Sequence, residues 1–593
     1  MAKKDVKPDW GTKDQALLER LRAIRTRKDL KLPYLPKILR TEVPDLSGDL
    51  QPFNFRYYQI QGILSMVSLK RMVLGDGTGL GKTIETIGTL SYLWDKNPNM
   101  KVVVVAPKSA IGQWGDEVQR FTYGVKVFTA TAPKKAKDVA AVEIRRSVYE
   151  AWKAHEGPAV LVMNYAILIR DWNYGAYQPL LSNGDPDPKH PVQPGMLNLI
   201  MQSVGPQLTA IFDEATAFKS RATKTWETVA FLCRQTNRAY ALTATLLKNR
   251  LIEGFHIYGA LMPGVFTTQK AFFDDYCYVE LKKVGKARIP IIKGYKNLDG
   301  FRERIELVYL GRPKHEVSDE LPTLSTREVT FELDEIEIAK YREAMTGLLS
   351  LGDGSVREFE KTKLLTSLVY CQQVVNSLAL LKFKEGAFID TSWDDMEGQK
   401  VKELSSKEQA LVDLLTEELD DDKVIVYTRF ASHVPRLQAI LKKHRIESVA
   451  ITGAQKDPER KAAQKAFQDL KSKTKVIFIT AAGSEAINLQ AAAGLVFFDM
   501  PWSWGDYVQI LGRMIRIGSP HKGVLCFHLL AKLPGRGQDA QTIDHYVLTR
   551  LRKKKGLIDK VLGEAAVGAL KFEKDSEDAV GDLIKAIRRN ARA

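Results

Sequence analysis

The sequence predicts an α/β protein built from two parallel-sheet lobes with a mainly helical insertion between them. Three observations lead there. Strand-like apolar runs alternate with helix-like segments twice along the chain, a glycine-rich loop joins the first of these strands to a helix, and the stretch between the two alternating regions turns helical. The first region holds RMVLG, KVVVVAP, AVLVMNY and LTAIFDE; the second holds KVIVYT, SVAITG, KVIFIT and GLVFFDM. Runs so rich in Val and Ile read as parallel strands covered on both faces. At 593 residues there is room for roughly four structural units.

In chain order, residues 1–50 form a basic extension carrying Lys3, Lys4, Lys7, Arg20, Arg22, Arg25, Arg27 and Lys28, with helical periodicity from Gln15 to Arg27. Residues 51–266 make the first lobe. Residues 267–400 make the insertion, in which a basic segment, LKKVGKARIPIIKGYK, precedes helical stretches at Asp334 to Leu349 and Lys361 to Leu381. Residues 401–545 make the second lobe. Residues 546–593 make a basic helical brace and tail, with Arg550, Arg552, Lys553, Lys554, Lys555, Arg588, Arg589 and Arg592, and an amphipathic helix from Thr542 to Leu562. A solvated helix face and a phosphate-contacting one fit both basic ends equally well.

Composition excludes several classes. With 45% hydrophobic and 27% charged residues the chain is neither disordered nor fibrous. No apolar run approaches the ~18 residues of a membrane span, and the first fifteen residues lack the apolar core of a secretory signal. Cys233, Cys277, Cys371 and Cys526 lie far apart, without disulfide-framework or zinc-site spacing, and read as reduced buried thiols. The net charge of +17 suits a polyanionic partner, although many basic proteins have none.

The sharpest local signal is MVLGDGTGLGKTIETIGTL. A strand leads into Gly75, Gly77, Gly79 and Gly81, then Lys82 and Thr83, then a helix. Such a turn points backbone amides at phosphate oxygens, while the lysine offers a cation and the threonine a hydroxyl for magnesium. Asp76 occupies the first glycine of the strict GxxxxGK[ST] pattern. Next, Asp213 and Glu214 close the run LTAIF, where one carboxylate can hold Mg2+ through its water shell and the second can act on the attacking water. Third, Arg513 and Arg516 in QILGRMIRIG stand three apart, which on a helix puts them on one face suited to a γ-phosphate.

The ordered series FRYYQIQG, GDGTGLGKT, APKSAIGQW, VMNYAIL, DEATAFKS, LTATLLKNRLIEGFHIYGALMPGVF, VIVYTRF, ITGAQKDPERKAAQKAF, ITAAGSEAINLQAA and QILGRMIRIG resembles the motifs of helicase superfamily two. LTATLLKN followed by LMPGVF, the segment LGRPKHEVSDELP and the closing TIDHYVLTRLRKKKGLIDKVLG resemble its Swi/Snf-type branch. The likeness runs from about residue 53 to 563 and implies two RecA-like lobes. It implies that Gln59 reads adenine with Arg56 beside it, and that Gly79, Gly81, Lys82, Thr83 and Gln509 belong to the ATP site. It also implies that Thr83 and Asp213 serve Mg2+, Glu214 the water, and Arg513 and Arg516 the transferred phosphoryl group. Lys108, Ser109, Thr243, Thr245, Thr428 and Thr480 then face nucleic acid or couple it to ATP.

Departures from the family pattern are Thr216 for a histidine, Ser484 and Ala486 for glycines, Ser503 and Trp504 for an Asn-Pro pair, and Ser519 for a glutamine. They touch coupling and DNA grip rather than ATP hydrolysis. The activity implied is ATP-dependent translocation along double-stranded DNA that remodels bound proteins or branched DNA. The alternative is a strand-separating or annealing helicase on forked DNA or RNA, and a third reading is a nucleic-acid binder with a dead ATPase core. Only nineteen positions separate Gln490 from Gln509, leaving little room for a strand-separating pin there. The absence of recognisable chromatin-reading modules fits a cytoplasmic protein of a bacterium or of a virus-infected host cell. No protein partner is implied.

Overall fold

The computed structural model of the protein describes residues 12–44, 50–131, 138–176, 194–244, 246–247, 250–284, 287–312, 321–346, 348–350, 356–358, 364–381, 403–453, 455, 457–481, 483, 487–516, 519–535 and 540–562. Thr245, Ser484 and Ala486 lie outside these residues, as do Lys3, Lys4, Lys7, Arg588, Arg589 and Arg592. The chain divides into two units: Met1–Cys277 with Tyr295–Ser318, and Tyr278–Gly294 with Asp319–Ala593.

The first unit is built on seven strands: β1 Arg71–Leu74, β2 Lys101–Ala106, β3 Lys126–Thr129, β4 Ala159–Asn164, β5 Leu208–Asp213, β6 Arg238–Leu242 and β7 Tyr309–Leu310. They lie in the order β7-β1-β6-β5-β2-β4-β3 and every pairing is parallel. All six side chains of β2 are buried, which explains why the run KVVVVA carries no polar alternation. Each parallel crossover is right for a helix, and Lys82–Lys96, Ile111–Phe121 and Lys224–Gln235 supply three. The amino-terminal helix, Thr12–Thr26, buries Leu18 and Leu21 and ties two of its arginines to this unit. Arg22 pairs with Glu306 at 2.5 Å, and Arg25 donates to the carbonyls of Glu306 and Leu307 at 2.6 and 3.1 Å. For these two arginines the solvated or phosphate-contacting alternatives give way to a structural tie.

The second unit holds β8 Thr323–Glu332, β9 Val424–Tyr427, β10 Ser448–Ile451, β11 Val476–Ile479, β12 Gly494–Phe497 and β13 Gly523–Lys532. Their order is β8-β13-β12-β9-β11-β10, again wholly parallel. Alternate residues feed two cores, as the two-residue repeat of a strand requires. Ile425, Tyr427, Ile477, Ile479, Leu495 and Phe497 enter one, with Tyr341, Val374, Ile510, Met514 and Val547 from helices. Val424, Val426, Val476, Phe478 and Val496 enter the other, with Leu411, Leu415, Leu437 and Leu441. Each such side chain contributes about 1.5–3 kcal/mol of apolar burial.

The stretch 267–400 contains the expected helices, at Glu335–Thr346 and Leu364–Asn376. Strands lie among them, and its expected boundaries do not match the division of the chain. The basic segment forms a two-stranded sheet, Cys277–Val284 with Ala287–Tyr295. Residues 295–318 return to the first unit, where β7 extends its sheet, and β8 pairs with β13 over ten residues in the second. Strands this short or this exposed carry no buried run for a sequence to show: β7 has two residues, and β8 is exposed at most positions.

Candidate nucleotide site

The site grows out of the carboxyl ends of β1, β6 and β5, the edge where open parallel sheets take ligands. After β1 the chain turns through Gly79 and Gly81, whose φ values of 84° and 91° lie in the left-handed region that glycine adopts freely. Helix Lys82–Lys96 starts at once. Its free amides and dipole make a ready anion site. Lys82 Nζ donates to the carbonyls of Asp76 at 2.8 Å and Gly77 at 3.3 Å. Burial lowers the pKa of this ammonium, against the charges of Glu214, Asp76, Asp213 and Glu85.

Asp213 ends β5. β6 lies between β1 and β5, so one strand separates the loop from the acidic pair. Trp114 Nε1 donates to Asp213 Oδ2 at 2.8 Å, Glu214 N donates to Oδ1 at 2.9 Å, and the Tyr165 hydroxyl donates to the Asp213 carbonyl at 2.7 Å. Burial and the neighbouring Glu214 charge push the Asp213 carboxyl up to about 6, although the Trp114 hydrogen bond and Lys82 pull it back. Glu214 has φ 51° and ψ 60°, a left-handed backbone that costs a non-glycine residue about 1–2 kcal/mol. The sheet end therefore stores strain at the one carboxylate proposed to act on water.

Helix Tyr57–Ser68 covers the loop from the other side. Gln59 Oε1 accepts from Arg56 N at 3.0 Å and Nε2 donates to Leu80 O at 3.1 Å, so both ends of the amide are engaged within the unit. A Cβ added to Gly81 would stand 2.6 Å from Gln59 Nε2, and the left-handed backbone there, φ 91°, favours glycine. The donor set of loop amides, an ammonium, a hydroxyl at Thr83 and one carboxylate fits a magnesium triphosphate. Among the described residues no group of three or more His, Cys, Asp or Glu is arranged to hold a metal alone. Mg2+ bound mainly by phosphates and waters requires none.

Lys108 opens a short turn after β2 and is exposed, Ser109 follows it, and Thr243 follows β6, fully buried. In the second unit Thr428 follows β9, and its hydroxyl donates to Asp499 Oδ2 at 2.8 Å in a fully buried setting. Thr480 follows β11 and is 4% exposed.

Gln509 and Arg513 lie on helix Trp504–Met514, both mostly buried. Arg516 falls beyond it. The helix stops at Ile515, whose φ and ψ are −81° and 93°, so the i, i+3 spacing does not place the two arginines on one helical face. Arg513 Nη1 reaches Ile487 O at 3.4 Å, and Arg516 Nε donates to Gly512 O at 2.8 Å.

Sequence reasoning missed Trp114, although it lies in the quoted APKSAIGQW, and Arg312, although it lies in LGRPKHEVSDELP. The signal for Arg312 was Asp76 itself, since a carboxylate in a phosphate loop needs a cation.

A family model described as the SNF2-related domain matches residues 58–380, and one described as the helicase conserved C-terminal domain matches residues 406–518. An uncharacterized ATP-dependent helicase of Bacillus subtilis is 24% identical over 503 residues, 83% of this chain and 76% of that protein. The ATP-dependent DNA helicase DDM1 of Arabidopsis thaliana is 24% identical over 524 residues, 86% of this chain but 62% of that protein. Among solved structures, the Sulfolobus solfataricus SWI2/SNF2 ATPase core in complex with dsDNA is 20% identical, with 91% of this chain and 100% of that one covered and a TM-score of 0.35.

Proposed function

The chain belongs to the SNF2-related family of ATP-dependent helicase-like enzymes, and from that premise we propose that it hydrolyses ATP to move along double-stranded DNA. Its work would be to remodel DNA-bound proteins or branched DNA. The observation that carries this reading is the convergence, on one sheet edge, of a left-handed glycine loop, Lys82 at a helix start, and the Asp213–Glu214 pair.

Each residue then has a task. The loop amides and Lys82 bind and orient the phosphates, which is most of what phosphoryl transfer asks of a protein. Thr83 and Asp213 would hold Mg2+, which supplies charge neutralisation to the phosphate oxygens when bound. Glu214 orients and polarises the attacking water. Arg513 and Arg516 are assigned to the charge on the transferred group. Gln59 and Arg56 border the base, and Gln509 is assigned to the same ATP site. Lys108, Ser109, Thr243, Thr245, Thr428 and Thr480 couple or contact the nucleic acid. Nucleotide that favours one arrangement of the chain, and hydrolysis that removes the preference, is enough to drive stepping. Phosphate contacts, indifferent to sequence, suit a tracking motor.

Between Gln490 and Gln509 the chain is used by β12 and the start of helix Trp504–Met514, which supports translocation without strand separation. One observation favours the second reading, a strand-separating helicase. The two-stranded sheet at 277–295 exposes Tyr278, Val279 and Leu281 at 58%, 37% and 59%, apolar side chains able to wedge a base pair. The decisive experiment measures ATP turnover on duplex DNA, single strands, forks and RNA, together with triplex displacement and unwinding of a tailed duplex. Duplex stimulation with triplex displacement supports the proposal; efficient unwinding of the tailed duplex, lost in Tyr278→Ala, replaces it with the second reading. Lys82→Ala should abolish turnover while leaving DNA binding nearly unchanged.

A further inference from the structure

Asp76 breaks the strict phosphate-loop pattern, and its side chain is fully buried. It turns onto Arg312, whose Nε donates to Oδ1 at 2.9 Å and whose Nη2 donates to Oδ2. The same Nη2 donates to Glu85 Oε2 at 3.0 Å, on the first turn of the helix that Lys82 begins. Nη1 donates to the Tyr58 carbonyl and, at 3.1 Å, to Gln61 Oε1, both on helix Tyr57–Ser68. All five guanidinium hydrogens thus have acceptors, drawn from the loop and from the helices on either side of it.

The backbone repeats the tie. Gly75 N donates to Leu310 O at 2.6 Å, Gly77 N donates to Arg312 O at 3.1 Å, and Arg312 N donates to Asp76 Oδ1 at 3.2 Å. The strand β7 therefore continues alongside the loop past the end of its sheet. Asp76 is also the residue whose carbonyl accepts from Lys82. Burial and the Asp76 charge push the Glu85 carboxyl well up toward its protonated form, and the Arg312 guanidinium opposes this by bridging the two side chains.

We propose that Arg312 is a positioning residue of the nucleotide site, holding the phosphate loop in the curl from which its amides and Lys82 meet phosphate. Asp76 is then the working counterpart of Arg312 rather than a lapsed glycine. The segment 308–312 forms a third wall of the loop, in register with it. This inference rests on the nucleotide-binding reading of the loop.

The test titrates the full chain with a fluorescent ADP analogue and measures ATP turnover, with thermal melting as the check of folding. Arg312→Lys keeps one charge and loses the planar fork, so ADP affinity should fall about 10- to 100-fold. KM for ATP should rise more than kcat falls. Asp76→Gly, which restores the strict pattern, should weaken ADP binding as well. A merely structural tie would lower the melting temperature and leave the affinity of the folded chain alone, and that result overturns the proposal, as does equal or tighter binding by Asp76→Gly. Hydrogen exchange on the wild-type chain is independent of any variant. ADP should protect the amides of 308–312 together with those of 75–81, and protection confined to 75–81 overturns the proposal even if a variant fails to fold. A wild-type chain that binds no nucleotide sinks the functional reading itself, whereas binding with unaffected variants sinks only this inference.

Discussion

Trp114→Phe offers a measurable handle on the acidic pair. The indole Nε1 donates to Asp213 Oδ2 at 2.8 Å, and the replacement keeps an aromatic ring on a buried helix face while deleting the donor. A hydrogen bond to a charged group is worth about 1.5–3 kcal/mol. At about 1.4 kcal/mol per pH unit, its loss moves the carboxyl by about one to two units. From its already raised position in the wild type, the Asp213 carboxyl would then titrate about one to two units higher. The sign follows from the chemistry, because Mg2+ is held by the ionised carboxylate and activity must fall as pH drops through its pKa. The assay is the pH profile of kcat/KM for magnesium ATP at saturating DNA, which reports groups on the free enzyme. The acid limb of the variant should lie about one to two units above that of the wild type, with alkaline activity preserved. An acid limb that does not move refutes the assignment of Asp213 as the titrating metal carboxylate.

Glu214→Gln keeps the shape of the side chain and removes its charge, so turnover should drop by at least about 100-fold with nucleotide binding intact, as checked by single-turnover kinetics beside a binding titration. Burial pushes the Glu408 carboxyl up, but hydrogen bonds from His433 and Arg436 outweigh it and hold it at about 2, below its ordinary 4.5. A depressed carboxylate stabilises the fold above its unfolded pKa and loses that contribution as pH falls toward the folded one. About 3 kcal/mol should therefore vanish between pH 4.5 and 2, and Glu408→Gln should flatten that part of the denaturation-against-pH curve. Burial also lifts the thiols of Cys233, Cys277, Cys371 and Cys526 to about 12 each. A disulfide reagent at pH 8 should leave the native chain unlabelled and label all four sites in denaturant.

The strands that were legible in the sequence are apolar runs buried along most of their length. RMVL, KVVVVA, AVLVMN, LTAIFD, VIVY and VIFI form strands within a residue of their expected limits, while SVAI and GLVF stop two and three residues short of theirs. A strand with cover on both faces writes itself as an unbroken apolar run. Of those that escaped, KVFT at 126–129 and TLSTREVTFE at 323–332 lie at sheet edges, where exposure admits polar residues and erases the pattern, whereas RAYAL at 238–242 and GVLCFHLLAK at 523–532 are interior strands whose runs Arg238 and His528 interrupt. The phosphate loop could be read because its chemistry is local, compressed into nine residues. Asp76 signalled that a cation was needed but not which one, because Arg312 stands 236 positions away and the pairing of β7 with β1 brings them together. The spacing of Arg513 and Arg516 misled because a three-residue interval means one face only while the helix lasts, and this helix ends between them.

The interleaved course of the chain also dictates how it may be dissected. A fragment ending near residue 266 would omit β7 and Arg312, leaving the buried Asp76 and Glu85 carboxyls without their guanidinium. A fragment limited to the C-terminal homology block, 406–518, would discard both β8 and β13 and bare the flank of β12 as an open row of amides and carbonyls ready to aggregate. Whoever expresses the halves separately must carry the first through residue 312 and start the second ahead of Thr323, and biochemistry on shorter pieces will report damage rather than division of labour.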